Sequence, residues 1–391
     1  MEFLTAGESN GKALIGIING FPSGVSISKD KIDMDLFRRQ KGFGRGKRMQ
    51  IEKDKVEIIS GLRKGISIGS PISFIIKNKD WVSWSDSMSA FPKKNENLND
   101  DIVENPRPGH ADLTGVLKYR FNDIRNVIER SSARETATRV AAGSFAKQFL
   151  KYFDIEIYSF VLSIGKIRLK DEYIKNKELK ADIFIRSDSS DLRCPDEKTT
   201  NEMKKEIERA IEDKDTLGGS FVLCIKNLPY GLGSYIQWNK RIDAILSFYL
   251  MSIPSVKAVE IGDAIKGSSS RGTMFHDEIF YSPDKKFFRE TNNAGGIEGG
   301  MTNGQDVIIT AYLKPIPTTM KGLKTINIRD KSPQLSTKER SDFCAVPSAS
   351  IVGEAMAAMA IMSAVQDKFG KDNIDEILQN YNNYLKYIDN I

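Results

Sequence analysis

Residues 104–147 read ENPRPGHADLTGVLKYRFNDIRNVIERSSARETATRVAAGSFAK, and the chain is organised around this stretch. It holds His110, one of only two histidines in the protein, in a rigid Arg107-Pro108-Gly109-His110 turn. Arg125, Arg130, Arg134 and Arg139 then follow at short intervals. Ser132 and Glu135 have the S-x-x-E spacing of a helix-capping box, which satisfies the free N–H groups of a first turn. Ala137, Val140, Ala141, Phe145 and Phe149 come next on one helical face. The spacing therefore predicts a helix whose N-terminus carries the hydroxyls of Ser131 and Ser132 with arginines around them. Free N–H groups and the helix dipole favour an anion there. The alternative is an ordinary capped helix with solvated arginines, because such boxes are common.

Composition narrows the class. The length of 391 residues alone is compatible with two or three domains, and 40% apolar residues can furnish a sizeable core. No uninterrupted apolar run reaches the roughly 18 residues of a bilayer-spanning helix, so none is expected. Met1 to Lys12 lacks the basic-then-apolar pattern of a signal peptide. Cys194, Cys224 and Cys344 are widely spaced without a C-x-x-C. That argues against a disulfide framework or a zinc site and fits a reducing cytoplasm. The net charge is +6, and residues 38–48 carry Arg38, Arg39, Lys41, Arg45, Lys47 and Arg48 with no acid. This one segment equals the excess of the whole chain, and such a local cluster calls for an anionic partner.

Taken in order, Phe3–Ala6 and Leu14–Ile18 read as strands around the turn Gly7-Glu8-Ser9-Asn10-Gly11. Lys31–Gln40 looks like a short helix with Ile32, Leu36 and Phe37 as candidates for its inner face. Its end delivers Arg38 and Arg39 into a glycine-rich cationic loop, Gly42 to Arg48. Lys55–Ser60 and Ile72–Lys77 are strands. Residues 80–104, with Trp81 and Trp84, read as an irregular acidic surface excursion. Beyond the central helix, Ile155–Gly165 and Leu217–Ile225 are strands and Asn201–Glu212 a helix. Residues 166–215 are charge-rich and otherwise uninformative. Asn227-Leu228-Pro229-Tyr230-Gly231 echoes Asn19-Gly20-Phe21-Pro22-Ser23-Gly24, and Ile32-Asp33 and Ile242-Asp243 each follow on a predicted helix. An internal duplication, two strand–turn–helix units in one domain with a pseudo-twofold, is the expectation.

The later half is dense in turns. Asn292 to Gly300 packs four glycines into nine residues, which permits positive φ and close approach of a ligand to backbone. It does not open a helix after a strand, so a dinucleotide fingerprint is rejected. Val307–Leu313 is a strand ending in the stiff loop Lys314-Pro315-Ile316-Pro317-Thr318. Arg340-Ser341-Asp342 precedes an apolar helix over Ser350–Val365, and residues 372–391 read as a loosely packed helical tail. Arginine forks, the Lys314 loop and the capped helix start all suit phosphate or carboxylate ligands. With no metal constellation, His110 is the one evident group that titrates near neutral pH in a motif-like setting. His276 reads as structural or surface. Asp342 is either a base or a salt-bridged structural aspartate. The residues by themselves support a binder of a polyanionic small molecule.

Taken together, these motifs resemble chorismate synthase over nearly the whole chain. Gly7-Glu8-Ser9-Asn10-Gly11 looks like the family's G-E-S-H-G signature. Glu129-Arg130-Ser131-Ser132-Ala133-Arg134-Glu135-Thr136 and Arg340-Ser341-Asp342-Phe343-Cys344-Ala345-Val346-Pro347 are similar to its second and third. Arg38-Arg39 with Gly44-Arg45-Gly46, Arg107-Pro108-Gly109-His110 and Asn292 to Gly300 also match. The resemblance implies an α+β fold, a single-domain β-α-β sandwich over residues 1–391 assembled as a homotetramer. It implies a carbon–oxygen lyase acting on phosphates, at the last common step of the shikimate pathway. Phosphate leaves C3 and a proton leaves C6 of 5-enolpyruvylshikimate 3-phosphate to give chorismate. Reduced FMN is required without net redox change; it is thought to lend an electron and take it back, with N5 involved in removing the C6 hydrogen.

Carried onto this chain, the resemblance implies that Ser9, Arg39, Arg45, Arg48, Arg107 and Arg134 hold the substrate. Arg130, Ser131, Ser132, Gly296, Lys314, Pro315, Ile316, Pro317, Thr318 and Arg340 would line the FMN site. Pro254 and Ser255 stand where the family often has Asn-Ala as a further FMN contact. His110 would stabilise reduced FMN near its N1/O2 edge. The departure that matters is Asn10, which replaces a family histidine proposed as the acid for the departing phosphate. Asparagine hydrogen-bonds but does not titrate. Either activity is impaired, or Arg45, Arg48 and water serve the leaving group. NADPH enters only as an indirect source of reduced flavin, through an outside flavin reductase. A catalytically inactive flavin-binding homologue is one alternative. A nucleic-acid-binding protein using residues 38–48 is another, disfavoured because the rest of the chain is charge-balanced and shows no such module. No membrane partner is expected.

Overall fold

The computed structural model describes residues 1–45, 53–91, 102–173, 179, 181–339 and 341–391. Alternation builds its first layer. β1 (Glu2–Ala6), β2 (Ala13–Asn19), β3 (Val56–Ile58) and β4 (Ile72–Lys77) form an antiparallel sheet in the order β1-β2-β4-β3. Between β2 and β3 runs α1 (Lys29–Gln40), which buries Ile32 and Leu36. Leu14, Gly16 and Ile18 of β2 stand opposite Ile76, Phe74 and Ile72 of β4, all on the inner face. Gly16 makes room for the Phe74 ring: a Cβ there would lie 2.2 Å from it. Phe37, a candidate for the inner face of α1, is instead half exposed, one residue off the Ile32–Leu36 stripe.

The central stretch breaks into short pieces before its long helix. α2 (Asp112–Tyr119) and α3 (Arg125–Ser131) pack on Val116, Ile124, Val127 and Ile128. A 3₁₀ turn over Ala133–Glu135 then leads into α4 (Thr136–Leu150). The predicted face of α4 is buried, and so is nearly all of its circumference. α4 is therefore a core helix between layers rather than an amphipathic one. The second sheet contains β5 (Glu156–Ile164), β6 (Ile167–Arg168), β7 (Gly219–Lys226), β8 (Val256–Ile261) and β9 (Val307–Leu313), antiparallel in the order β8-β9-β7-β5-β6. Also present in this half are α5 (Ala181–Ser189), α6 (Glu197–Glu212), α7 (Ile242–Met251), α8 (Val346–Phe369) and α9 (Ile374–Asp389).

The predicted duplication is visible in the connectivity. β1, β2, α1, β3, β4 and α4 recur in order as β5, β7, α7, β8, β9 and α8. The sheet order β1-β2-β4-β3 likewise recurs as β5-β7-β9-β8. One hydrophobic core joins the inner faces of both sheets to α1, α4, α7 and α8, which gives the expected sandwich of helices between sheets. The described part of residues 166–215 finds its role on the outer face of the second sheet. Val222 and Cys224 of β7 face Ile183, Phe184, Met203 and Ile207 of α5 and α6, while Phe221, Leu223 and Ile225 face the central helices. The second sheet is thus covered on both sides.

α8 is long and apolar enough to cross a membrane by length and composition, which a search for unbroken apolar runs misses. Here 94% of its apolar window is buried inside the fold. It crosses α4 closely: a Cβ on Gly143 would lie 2.3 Å from the Ala355 Cβ. Glu354, fully buried on α8, receives Arg38 at 2.9 Å, Lys147 at 2.7 Å and Arg193 at 3.1 Å. Burial alone would raise this carboxyl, but the three cations hold it well below the usual carboxylate range. The tail is not loosely held. Asn373 caps α9, and Ile374, Ile377 and Tyr381 are buried, with the Tyr381 ring edge-on to Phe153 and Phe369.

Candidate active site

A cavity of about 350 Å³ opens where the start of α4 meets the turn after β1, the end of α1 and the loop after β9. Its wall brings together residues scattered over more than three hundred positions. Ser9, Asn10, Arg39, Arg45, Arg107, His110, Ser131, Ser132 and Arg134 line it, as do Pro254, Ser255, Lys314, Ile316, Pro317, Thr318 and Asp342. Trp84 joins them, so the stretch read as a surface excursion contributes to the wall, with Arg125 stacked 5.3 Å over its ring. Ile128, Ile253, Ala345 and Val352 make an apolar side.

Ser132 starts the central turn as expected, its Oγ accepting from the Arg134 N–H at 3.3 Å. Glu135 does not complete a box but pairs with Arg139 at 2.7 Å. Arg139 also donates to the Ser252 carbonyl, tying α4 to the loop that carries Pro254 and Ser255. The Ser131 hydroxyl donates to the Val127 carbonyl at 2.6 Å.

The cations are held in place by carboxylates behind them. Asp54, whose side chain is fully buried, accepts from Arg134 at 2.7 Å and from Arg39 at 3.4 Å, so one negative charge serves two guanidiniums. Burial pushes the Arg39 guanidinium down to about 10, with Asp54 opposing and Arg134 and Arg45 adding to the shift. It stays cationic at neutral pH. Arg45 pairs with Asp342 at 2.9 Å, and its Nε is buried without a hydrogen-bond partner among the described residues. Asp342 is thus salt-bridged, though to Arg45. Five formal cations (Arg39, Arg45, Arg107, Arg134 and Lys314) share the described wall with two carboxylates, Glu339 and Asp342. Asp54 and Asp112, just behind that wall, reduce the excess to one, and the guanidinium donors that remain still suit an anionic ligand.

The histidine turn and the proline loop are stitched to one another. Arg107 Nη1 donates to Thr318 Oγ1 at 2.9 Å, and Lys314 Nζ donates to the Gly109 carbonyl. Asp112, fully buried, accepts from Arg107 Nε at 2.8 Å and contacts His110 Nδ1 at 2.6 Å. Burial would raise this carboxyl, but hydrogen bonds from His110 and Arg107 hold it well below the usual range. Nδ1 cannot both donate to Asp112 and accept from Arg107, which lies 3.0 Å away. The short carboxylate contact decides for the Nδ1–H tautomer and leaves Nε2 as the accepting nitrogen, with Arg107 Nη2 3.4 Å from it.

Three predicted residues do not reach the described wall. Arg130 donates to the Gly7 and Thr5 carbonyls and anchors the end of β1. Gly296, at φ 77°, donates its N–H to Asn292 Oδ1 in a tight turn against Asp306, where a Cβ would lie 2.5 Å from a carbonyl oxygen. Pro315 is also absent from the lining, although Lys314 and Ile316 on either side belong to it. Arg48 and Arg340 lie outside the described residues. His276 is exposed, as expected. Sequence reasoning missed Asp54, Asp112, Glu129 and Trp84. Only Asp112, two residues beyond His110, carried a local signal.

Comparison with known proteins agrees over the full length. The chorismate synthase family model matches residues 1–366. Chorismate synthase of Alkaliphilus metalliredigens is 50% identical over 383 residues, covering 98% of this chain and 99% of the relative. That of Symbiobacterium thermophilum is 45% identical, covering 99% of each. A crystal structure of chorismate synthase superposes with a TM-score of 0.81 at 37% identity, covering 100% of this chain and 98% of the other.

Proposed function

The chain belongs to the chorismate synthase family, and from that premise we propose that it eliminates phosphate from 5-enolpyruvylshikimate 3-phosphate to form chorismate, with reduced FMN bound beside the substrate. The observation that carries this is the buried guanidinium cluster. Arg39, Arg45, Arg107 and Arg134 converge on one cavity, two of them sharing the single carboxylate of Asp54, and the substrate brings a phosphate and two carboxylates. FMN adds another phosphate. The residues fit that second group as well: an apolar side at Ile128, Ile253 and Pro254 can receive a flat ring. The Ser132 hydroxyl, at the start of a helical turn, and Lys314 are donors suited to a phosphate.

In this reading Ser9, Arg39, Arg45, Arg48, Arg107 and Arg134 hold the substrate anions. Ser131, Ser132, Pro254, Ser255, the Lys314 to Thr318 loop and Arg340 hold FMN. Arg130 and Gly296 act by shaping neighbouring backbone. His110, oriented through Nδ1 by Asp112, would hold the flavin through Nε2. Reduced FMN, when bound, supplies a reversible electron donor, so that the reaction has no net redox change. Phosphate departs with the C3–O bonding pair, and a proton is lost from C6. Asn10 offers no titrating proton to the departing oxygen, so the elimination runs at a reduced rate. Further parts of the proposal are a homotetramer in the cytoplasm and reduced flavin from an outside, NADPH-dependent source.

The test is an anaerobic assay with chemically reduced FMN, following chorismate absorbance and released phosphate. Formation of both only with reduced flavin is the expected result. Flavin binding without turnover would leave a non-catalytic homologue, and absence of both would refute the reading.

A further inference from the structure

Trp84 is half-buried on the cavity wall, at the end of a four-residue helix over Trp81–Trp84. That helix starts from Asn78, which is buried and whose carbonyl accepts from the Trp81 N–H at 3.3 Å. The Asn78 side chain donates to the Gly11 carbonyl at 2.7 Å and accepts from Arg134 Nε at 3.0 Å. The helix is therefore tied to the turn after β1 and to the cation cluster. The Arg125 guanidinium lies 5.3 Å over the Trp84 ring, within the range of a cation–π contact. Arg125 is itself fixed at the start of α3, where its N–H donates to Asp123 Oδ1 at 2.8 Å. Its charge is met by Glu339 at 3.0 Å and Glu129 at 3.5 Å. Glu129 also accepts from the Asn10 N–H and Nδ2, at 2.7 and 2.8 Å. Arg125 does not belong to the described lining, so it backs the indole rather than meeting a ligand. Ile128, three residues further on the same face of α3, does belong to it, on the apolar side. Trp84 and His110 are the only aromatic side chains among the described lining residues.

We propose that Trp84 is a cofactor-contact residue whose indole joins Ile128 in the wall that the flavin ring lies against, with Arg125 as the positioning residue behind it. This rests on the functional reading above. Of the two ligands in that reading only the flavin is aromatic. The substrate is a cyclohexene with anionic substituents, which the guanidiniums serve. An indole beside a flat conjugated ring adds ring–ring geometry to the area it buries. The guanidinium holds the indole before the ligand arrives, so less side-chain freedom is lost on binding. Glu339 and Glu129 already pair the Arg125 charge, so a ligand phosphate does not draw it away from the ring.

The experiment follows oxidised FMN bound to the full chain by the flavin's own fluorescence, which contact with an indole quenches. Trp81, on the same short helix but off the described lining, is the control. Emission of the bound flavin should be quenched in the wild type and in Trp81→Phe, and restored in Trp84→Phe. Trp84→Ala should bind FMN about threefold to tenfold more weakly, the value of one aromatic contact. Its affinity for shikimate 3-phosphate, measured on the FMN-loaded protein, should stay within about twofold of the wild type. Arg125→Met keeps the stem and loses the guanidinium, and should restore part of the emission with Trp84 still present. Should Trp84→Ala not fold, the emission of Trp84→Phe decides alone. Bound flavin that emits in the wild type, or stays quenched in Trp84→Phe, overturns the assignment alone. So does a loss in Trp84→Ala that falls on shikimate 3-phosphate instead of FMN. Emission of Arg125→Met as quenched as that of the wild type overturns the positioning role. A wild type that binds no FMN overturns the functional reading and this assignment with it.

Discussion

Asn10→His should restore an acid to the site. In the histidine side chain Nδ1 is bonded to Cγ as Nδ2 is in asparagine. It can therefore donate to Glu129 Oε1, where the amide now sits at 2.8 Å. Nε2 is then carried one atom deeper into the cavity, and the Glu129 carboxylate favours the imidazolium form. A positioned general acid contributes about 10²–10⁴-fold. The gain here is set below that range, because Arg45 on the same wall can share the charge on the leaving oxygen. We expect kcat to rise at least about tenfold, or about 1.4 kcal/mol of transition-state stabilisation. FMN affinity should change little, since the position lies on the substrate side. Anaerobic single-turnover measurements with reduced FMN separate this chemistry from release. Adding Glu129→Gln to Asn10→His should remove most of the gain. Equal turnover of the wild type and Asn10→His would refute the reasoning.

The remaining predictions concern the framework. Asp112→Asn leaves Arg107 buried without its carboxylate and frees the His110 ring. It should cost about 3 kcal/mol in urea unfolding and weaken FMN binding, with the flavin titrated by fluorescence. Glu354→Gln removes the buried carboxylate shared by Arg38, Lys147 and Arg193, leaving them to Asp35 and Asp188, and should cost about 3 kcal/mol while leaving FMN affinity within about twofold. Asp112 and Glu354 both titrate below their unfolded values. Their contributions are therefore present above about pH 4 and lost as pH falls below it. Urea midpoints should hold between about pH 7 and 5 and fall below about pH 4. Gly143→Ala gains about 1 kcal/mol of helix propensity, yet puts a methyl carbon 2.3 Å from the Ala355 Cβ. A net loss of about 2 kcal/mol is expected, read as a lower melting temperature.

How much of this was legible in the sequence depends on whether the signal was local. The apolar, β-branched runs in Leu14–Ile18 and Ile72–Lys77 and the paired Asn…Pro turns announced the strands and the duplication. The order of strands within each sheet had no local signal. The convergence of Arg39, Arg45, Arg107 and Arg134 came through motif resemblance, because positions far apart in sequence share no periodicity. Their counter-ions were unreadable for the same reason: Asp54 and Glu129 become meaningful only when Arg134 and Asn10 are folded against them. The charge-rich segment after residue 166 misled in another way. Met203, Ile207 and Ala210 form a buried stripe on α6, outnumbered by the charges on its solvent side.

Arg38 and Arg39 are neighbours in the chain with opposite destinations. The first reaches into the interior to Glu354, and the second faces the ligand cavity. The roughly 100° step between consecutive helical residues is what sorts them. Adding one residue in the last turns of α1 would carry Arg38 to the place of Arg39, and removing one would carry Arg39 to that of Arg38, with the other guanidinium displaced from both. Such a length change would damage folding and ligand capture in a single stroke. The end of this helix can drift in composition on its solvent side, but not in length.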